Sequence, residues 1–189
     1  MRFHFGGDGD LSEGEDDEEE GEGEGEEDEK EDDYSNAFQT LEIARVIYER
    51  AEGADAQRKL VEIHKLQGDV MTEDEQFGEA IKSYEQALEI LEKVAEPHDR
   101  SLAELYMLIA LSFDLTQEPK QAVTYAERAK KVLLAKLEQL KSSDASDEDA
   151  KDKIARETKE IQEVMGDVDL KVSHVAQRAT DRADAKTAD

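Results

Sequence analysis

The side chains best placed to do chemistry in this chain are carboxylates, and they come as a block. Between Asp8 and Asp33 stand 18 Asp or Glu and a single basic residue, Lys30, so this stretch holds −17 of a formal net charge of −27. Glu15, Asp16, Asp17, Glu18, Glu19 and Glu20 run consecutively, and Glu26, Glu27, Asp28 and Glu29 follow a Gly-Glu alternation. A calcium loop needs oxygen ligands spaced around a turn with a glycine at a defined place, and this run has no such spacing. A solvated polyanion is instead suited to a polycation. Nucleic acid and anionic membrane are poor direct partners, because both are bound through Lys and Arg.

Other reactive groups are sparse. There is no cysteine, hence no thiolate, disulfide or sulfur ligand. His4, His64, His98 and His174 are scattered without metal-ligand spacing, and no glycine-rich loop is placed to cradle a phosphate. Neither an enzyme nor a cofactor or metal site is expected. No apolar run approaches a membrane span, and the opening residues lack a signal-peptide core.

The elements that must position these carboxylates follow from periodicity. Residues 8–33 are almost wholly Asp, Glu and Gly, which leaves nothing to offset ordering entropy, so residues 1–33 are expected to be a disordered acidic segment. From Asp33 onward apolar residues recur at helical spacing and strand signals are absent. Helices are expected at 34–51, 57–73, 76–95, 99–115, 118–141 and 147–176, with breaks at Gly53, at Pro97 before Asp99, before Pro119 and in the linker Ser142–Ser146.

Three of these helices carry one signature: Ala37, Leu41, Ala44; then Ala80, Tyr84, Ala87; then Ala122, Ala126, Ala129. Steps of four then three keep the small side chains on one face, where a neighbouring helix can approach closely. The instances begin at residues 37, 80 and 122. Upstream of the second and third lies a ring, small, bulky series: His64, Gly68, Met71 and Tyr106, Ala110, Phe113. This is the tetratricopeptide pattern with Trp replaced by His and, in one case, Gly by Ala, at a period lengthened beyond 34 residues.

The expected architecture is therefore all-α, a tetratricopeptide-like solenoid of helical hairpins. It would comprise the second helix of an incomplete repeat at 34–51, repeats at 57–95 and 99–141, a capping helix at 147–177 and a disordered tail at 178–189. In such arrays the first helix of each pair lines a concave peptide-binding groove. That register turns Glu62, Lys65, Asp69 and Glu73 inward from one pair, and Glu104, Met107, Leu111 and Asp114 from the next. Carboxylates beside apolar groups suit a basic amphipathic helix or tail. Ile154, Thr158, Ile161, Met165, Val168, Val172 and Val175 form a coiled-coil-like seam, fit to cap the last repeat or, alternatively, to form a homodimer.

The sequence resembles the nuclear autoantigenic sperm protein group of histone chaperones, which share a variant tetratricopeptide array. The residues that carry the likeness are Asn36 to Tyr48 directly after an acidic tract, Leu60-Val61-Glu62-Ile63-His64 with Gly68-Asp69-Val70, and Phe77-Gly78-Glu79-Ala80-Ile81 with Tyr84. The resemblance implies binding of histones H3 and H4, including the centromeric H3 variant or linker histone in some members. It also implies histone supply for chromatin assembly, association with a histone acetyltransferase complex, and a location in the nucleus and also the cytoplasm. It carries a groove Glu onto Glu104, while Met107 replaces a family tyrosine. Relative to that family the chain starts within the acid block, so the helix at 34–51 is expected to lack a partner and to expose Phe38, Leu41 and Val46. A general scaffold that clamps a peptide carboxylate is the competing reading. It calls for groove Lys and Arg where this groove is mostly acidic.

Overall fold

The computed structural model describes residues 22–143 and 148–187, with side chains between 33 and 180 other than Ala179. It contains six helices and, among the described residues, no strand: α1 (Glu22–Glu49), α2 (Ala54–Glu73), α3 (Phe77–Val94), α4 (Arg100–Leu115), α5 (Pro119–Ser142) and α6 (Glu148–Thr187). Each packs chiefly on its neighbours in the chain, α1 on α2, α2 on α3, and so on to α5 on α6. The expected all-α array of stacked hairpins is what forms.

The alanine signature is the seam of that stack. Ala80, Tyr84 and Ala87 on α3 and Ala122, Ala126 and Ala129 on α5 are all buried, while Ala37, Leu41 and Ala44 on α1 are half-buried. The two hairpins α2–α3 and α4–α5 also turn the same way. Glu75 and Gln117 take left-handed φ of 56° and 64°. In each turn the next amide reaches back to close a six-residue ring, Gln76 N–H to Met71 C=O at 2.7 Å and Glu118 N–H to Phe113 C=O at 2.8 Å. Gly53, at φ 106°, makes the α1–α2 corner, where an L side chain would be strained. Asp99 caps α4 by accepting from the Ser101 amide at 2.9 Å, as the sequence suggested.

Two boundaries differ from expectation. Helix α1 begins at Glu22, so Glu26, Glu27, Asp28 and Glu29 are helical rather than disordered. Glutamate is a good helix former, and acidic side chains are stabilised near a helix N-terminus by the macrodipole. Helix α6 likewise runs to Thr187 instead of ending near residue 176. The alanines and long charged residues after Val175 have high helix propensity, and nothing there breaks the helix. The residues Glu15, Asp16, Asp17, Glu18, Glu19 and Glu20 lie outside the described part, as does most of the linker at 144–147.

The faces of the terminal helices differ from expectation too. Phe38, Leu41 and Val46 are half-buried, and the apolar residues that α1 exposes are Ile43 and Ile47, at 64% and 60%. The helix is rotated so that a polar network meets α2. Arg45 bridges Glu42 and Glu49, the Gln67 amide donates to Glu42 at 3.2 Å, and Gln67 Oε1 lies 3.1 Å from Nδ1 of buried His64. The bond from Arg45 holds the Glu42 carboxyl below its usual range, and burial pushes the His64 imidazole below its own.

On α6 the seam residues Ile161, Val168 and Val175 are buried and Ile154, Thr158, Met165 and Val172 are partly so. The seam is spent inside the chain, against α4 and α5, because an array end must cover its apolar face.

Candidate groove between the first helices

Because the hairpins repeat, α2, α4 and α6 run parallel and lie side by side. The Lys65 ammonium on α2 pairs with Glu104 on α4, which raises the lysine pKa. Arg100 at the start of α4 lies 3.5 Å from Glu160 on α6, and Asp114 at its end pairs with Arg178 at 2.6 Å. Helix α6 thus occupies the place of the first helix of a further repeat. It is tied to α5 as well, by Lys136–Glu157 at 3.3 Å and Lys130–Asp169 at 2.5 Å.

Between α4 and α6 runs a trough with an apolar floor. One hollow of about 390 Å³ is lined by Ala103, Glu104, Met107, Leu108, Leu111 and Val164 among others. A tighter one of about 120 Å³ continues past Met107, Ala110 and Leu111 to Asp114, with Val172, Val175 and Arg178 on its α6 side. Glu104 and Asp114, ten residues apart on one helix, stand at roughly 15 Å along its axis. So the trough is an apolar strip with Glu104 and Asp114 toward its two ends, and Arg100, Lys171 and Arg178 also line it.

The residues expected in the groove divide into those brought together and those committed elsewhere. Glu104, Met107, Leu111 and Asp114 share the trough, where Glu104 is paired with Lys65 and Asp114 with Arg178. Glu62 is paired along its own helix with Lys59 at 2.7 Å. Asp69 accepts a hydrogen bond from the Tyr84 hydroxyl at 2.9 Å, a bond that fastens α3 to α2 rather than facing a ligand. Glu73 is exposed at the C-terminal end of α2 and makes no ion pair among the described residues. That end matters, because α1 runs antiparallel to α2 and its acidic first turns emerge there: Tyr34 and Phe38 border a hollow with Met71 and Asp74. The acidic arm therefore leaves the array at the same edge as Glu73 and Asp114.

Sequence reasoning missed Arg178, placing it in a tail. Its signal was the step of three from Val175, which keeps it on the buried face once the helix continues. Also missed were two tyrosines that lock the hairpins to each other. The Tyr106 hydroxyl donates to Glu92 at 2.5 Å and that of Tyr125 to Glu85 at 2.8 Å, and burial with these bonds pushes both pKa values up to about 12. The Phe113 and Tyr125 rings stack at 5.5 Å and Arg128 lies 5.1 Å from the Tyr125 ring centre. Among the described residues no group of His, Asp and Glu is arranged to hold a metal ion, and no helix is long and apolar enough to cross a membrane.

Residues 59–135 match the family model for the tetratricopeptide repeat, a protein-interaction scaffold. The chain is 27% identical over 114 residues to human nuclear autoantigenic sperm protein, covering 58% of this chain and 14% of that protein. It is 28% identical over 89 residues to the Xenopus laevis histone-binding protein N1/N2, covering 47% of this chain and 15% of the relative. Protein HGV2 of Halocynthia roretzi is 28% identical over 154 residues, 76% of this chain and 30% of the relative. The matches span less than a third of the length of each of these relatives. The resemblance read from Asn36–Tyr48, Leu60–Val70 and Phe77–Tyr84 is borne out by these relatives.

Proposed function

We propose, from the premise that this chain is a relative of the nuclear autoantigenic sperm protein group, that it is a histone chaperone. It receives H3, alone or with H4, in the trough between α4 and α6. The acidic arm screens the remaining histone cations. The observation that carries this reading is the trough itself: Met107, Leu108 and Leu111 between Glu104 and Asp114, opening on the edge from which the arm emerges. A basic amphipathic helix presents apolar residues to such a floor and Lys or Arg to each end, with the bidentate arginine pairing adding geometric selectivity. Arginines eleven residues apart on a guest helix lie about three turns apart on one face, close to the spacing of the two carboxylates along α4.

The arm acts differently. A run of solvated carboxylates attracts any polycation, is weakened by salt, and releases its cargo to DNA, a denser polyanion. Histone supply to chromatin follows from the two together, with the centromeric H3 variant or linker histone as alternative cargo and a histone acetyltransferase complex as a companion. The nucleus is the site of action, with the cytoplasm as the place of first capture.

Pull-down of purified H3–H4 at about 0.15 M and about 0.5 M salt tests the division of labour. Retention at the higher salt is expected from the trough, since the Debye length falls from about 8 Å to under about 5 Å and only close contacts survive. Deleting residues 8–33 should weaken capture at low salt and change retention at high salt little. Complete loss at high salt with the intact chain would assign all binding to screened charge and remove the trough from the account.

A further inference from the structure

The carboxylate at the far end of the trough is already in use. Arg178 Nη2 donates to both oxygens of Asp114, at 2.7 and 2.6 Å. The two partners are held very unequally, for the Asp114 side chain is 26% exposed and the Arg178 side chain 59%. Asp114 is set into the wall beside Ala110, Leu111 and Val123, whereas Arg178 reaches in from α6. Three residues before it, Val175 is buried in the same hollow. A valine and an arginine one helical turn apart thus fill the apolar and anionic halves of one small site, from a helix laid along α4. At the other end Lys65 fills the corresponding role on Glu104.

We infer that the last turns of α6 are an internal stand-in for the guest helix, and that a basic amphipathic helix with an apolar residue one turn from an arginine displaces Arg178 from Asp114. This inference rests on the proposed histone-chaperone reading and specifies its ligand and its control. The fold permits the exchange. An exposed ion pair contributes little, so a partner that brings its own arginine and more apolar surface than Val175 supplies wins the site. The main body of α6 is held by Ile161 and Val168, upstream of the contested turn, so lifting those turns frees Val175 from the core while the rest of the cap stays in place. The internal contact keeps the trough from collecting stray cationic peptides and sets a threshold that only a complete guest exceeds.

The chain has no native cysteine, so two can be placed cleanly for distance measurement. With labels at Leu115→Cys and Thr180→Cys, both at exposed positions, saturating H3–H4 should lengthen the label-to-label distance, and Arg178→Ala should lengthen it without any partner. In titrations of the full chain, Arg178→Ala should tighten H3–H4 binding about two- to fivefold, the size expected for losing a competing exposed pair. Arg178→Lys should fall between wild type and alanine, and Asp114→Asn should weaken binding whatever stands at 178. An unchanged distance at saturation, or an Arg178→Ala variant that binds no tighter than wild type, overturns the inference while leaving histone binding intact. A wild-type chain that takes up no H3–H4 at all overturns the parent reading, and the inference with it.

Discussion

The two complete hairpins, α2–α3 and α4–α5, repeat with an offset of 42 residues and solve the same packing problem in opposite ways. In the first, Gly68 faces the Tyr84 ring, and a Cβ placed on that glycine would lie 2.4 Å from a ring carbon. The ring fills the gap between the helices, and its hydroxyl ties back to Asp69 at 2.9 Å and lies 3.1 Å from Thr72 Oγ1. In the second, the equivalent positions are Ala110 and Ala126, so no ring stands at the place of Tyr84, although Tyr125 packs nearby. Val168 from α6 packs there instead, with Val172 alongside. Asp114 stands where the first hairpin has Thr72, and its partner is Arg178. The lesson is that one large side chain closes a repeat against itself, and its loss leaves the hollow in which a foreign helix can be seated.

That contrast can be broken most forcefully at Gly68. Gly68→Ala should destabilise the chain by about 2 kcal/mol in urea unfolding, since the ring is confined and overpacking outweighs the gain in helix propensity. Ala110→Gly at the equivalent place should cost only about 1 kcal/mol, the propensity difference alone. Similar losses at both sites would mean the two hairpins are packed alike. Tyr84→Phe keeps the ring and removes its hydroxyl, so about 1 kcal/mol should be lost as Asp69 gives up its donor. The shared turn offers a smaller and opposite effect. Glu75→Gly and Gln117→Gly should each raise stability by roughly 0.5–1 kcal/mol by relieving left-handed backbone, and by like amounts if the turns are truly equivalent.

The weakest expected effect separates the ring positions themselves, His64 in the first hairpin and Tyr106 in the second. Burial lowers the His64 pKa, so the folded chain binds fewer protons there than the unfolded chain. Its contribution is whole above about pH 6.5, the ordinary histidine value, and is lost as pH falls toward the lower folded value. Melting temperature should therefore drop between pH 7.5 and 5.5, and His64→Phe should flatten that slope. An identical slope in the variant would remove His64 from the interface with α1.

How much of this was readable in advance depends on which force fixes each feature. Periodicity and small-residue spacing are local, so the six helices, the alanine seam from Ala80 to Ala129 and the inward register of Glu104, Met107, Leu111 and Asp114 follow from order along the chain. Partners between helices do not. Nothing in the spacing of Asp69 announces that Tyr84 claims it, or that Glu62 turns to Lys59. Composition alone does not tell a charged tail from a charged helix, so the extent of α6, and with it the place of Arg178, is not legible there. At α1, the face that exposes Ile43 and Ile47 is chosen by the Glu42–Arg45–Gln67 network, a set of contacts spread over two helices.

The central claim is that the strip between Glu104 and Asp114 receives a basic amphipathic helix. Titration of H3–H4 into the full chain and into Leu111→Lys tests it, with circular dichroism confirming that the variant stays helical. Leu111 is half-buried in the floor of both hollows, so a lysine there opposes a cationic guest by charge and by desolvation. Saturable binding near 1:1 is expected of the wild-type chain, and a loss of tenfold or more, about 1.4 kcal/mol, in the variant. Equal isotherms for the two proteins, or no saturable binding by either, would contradict it.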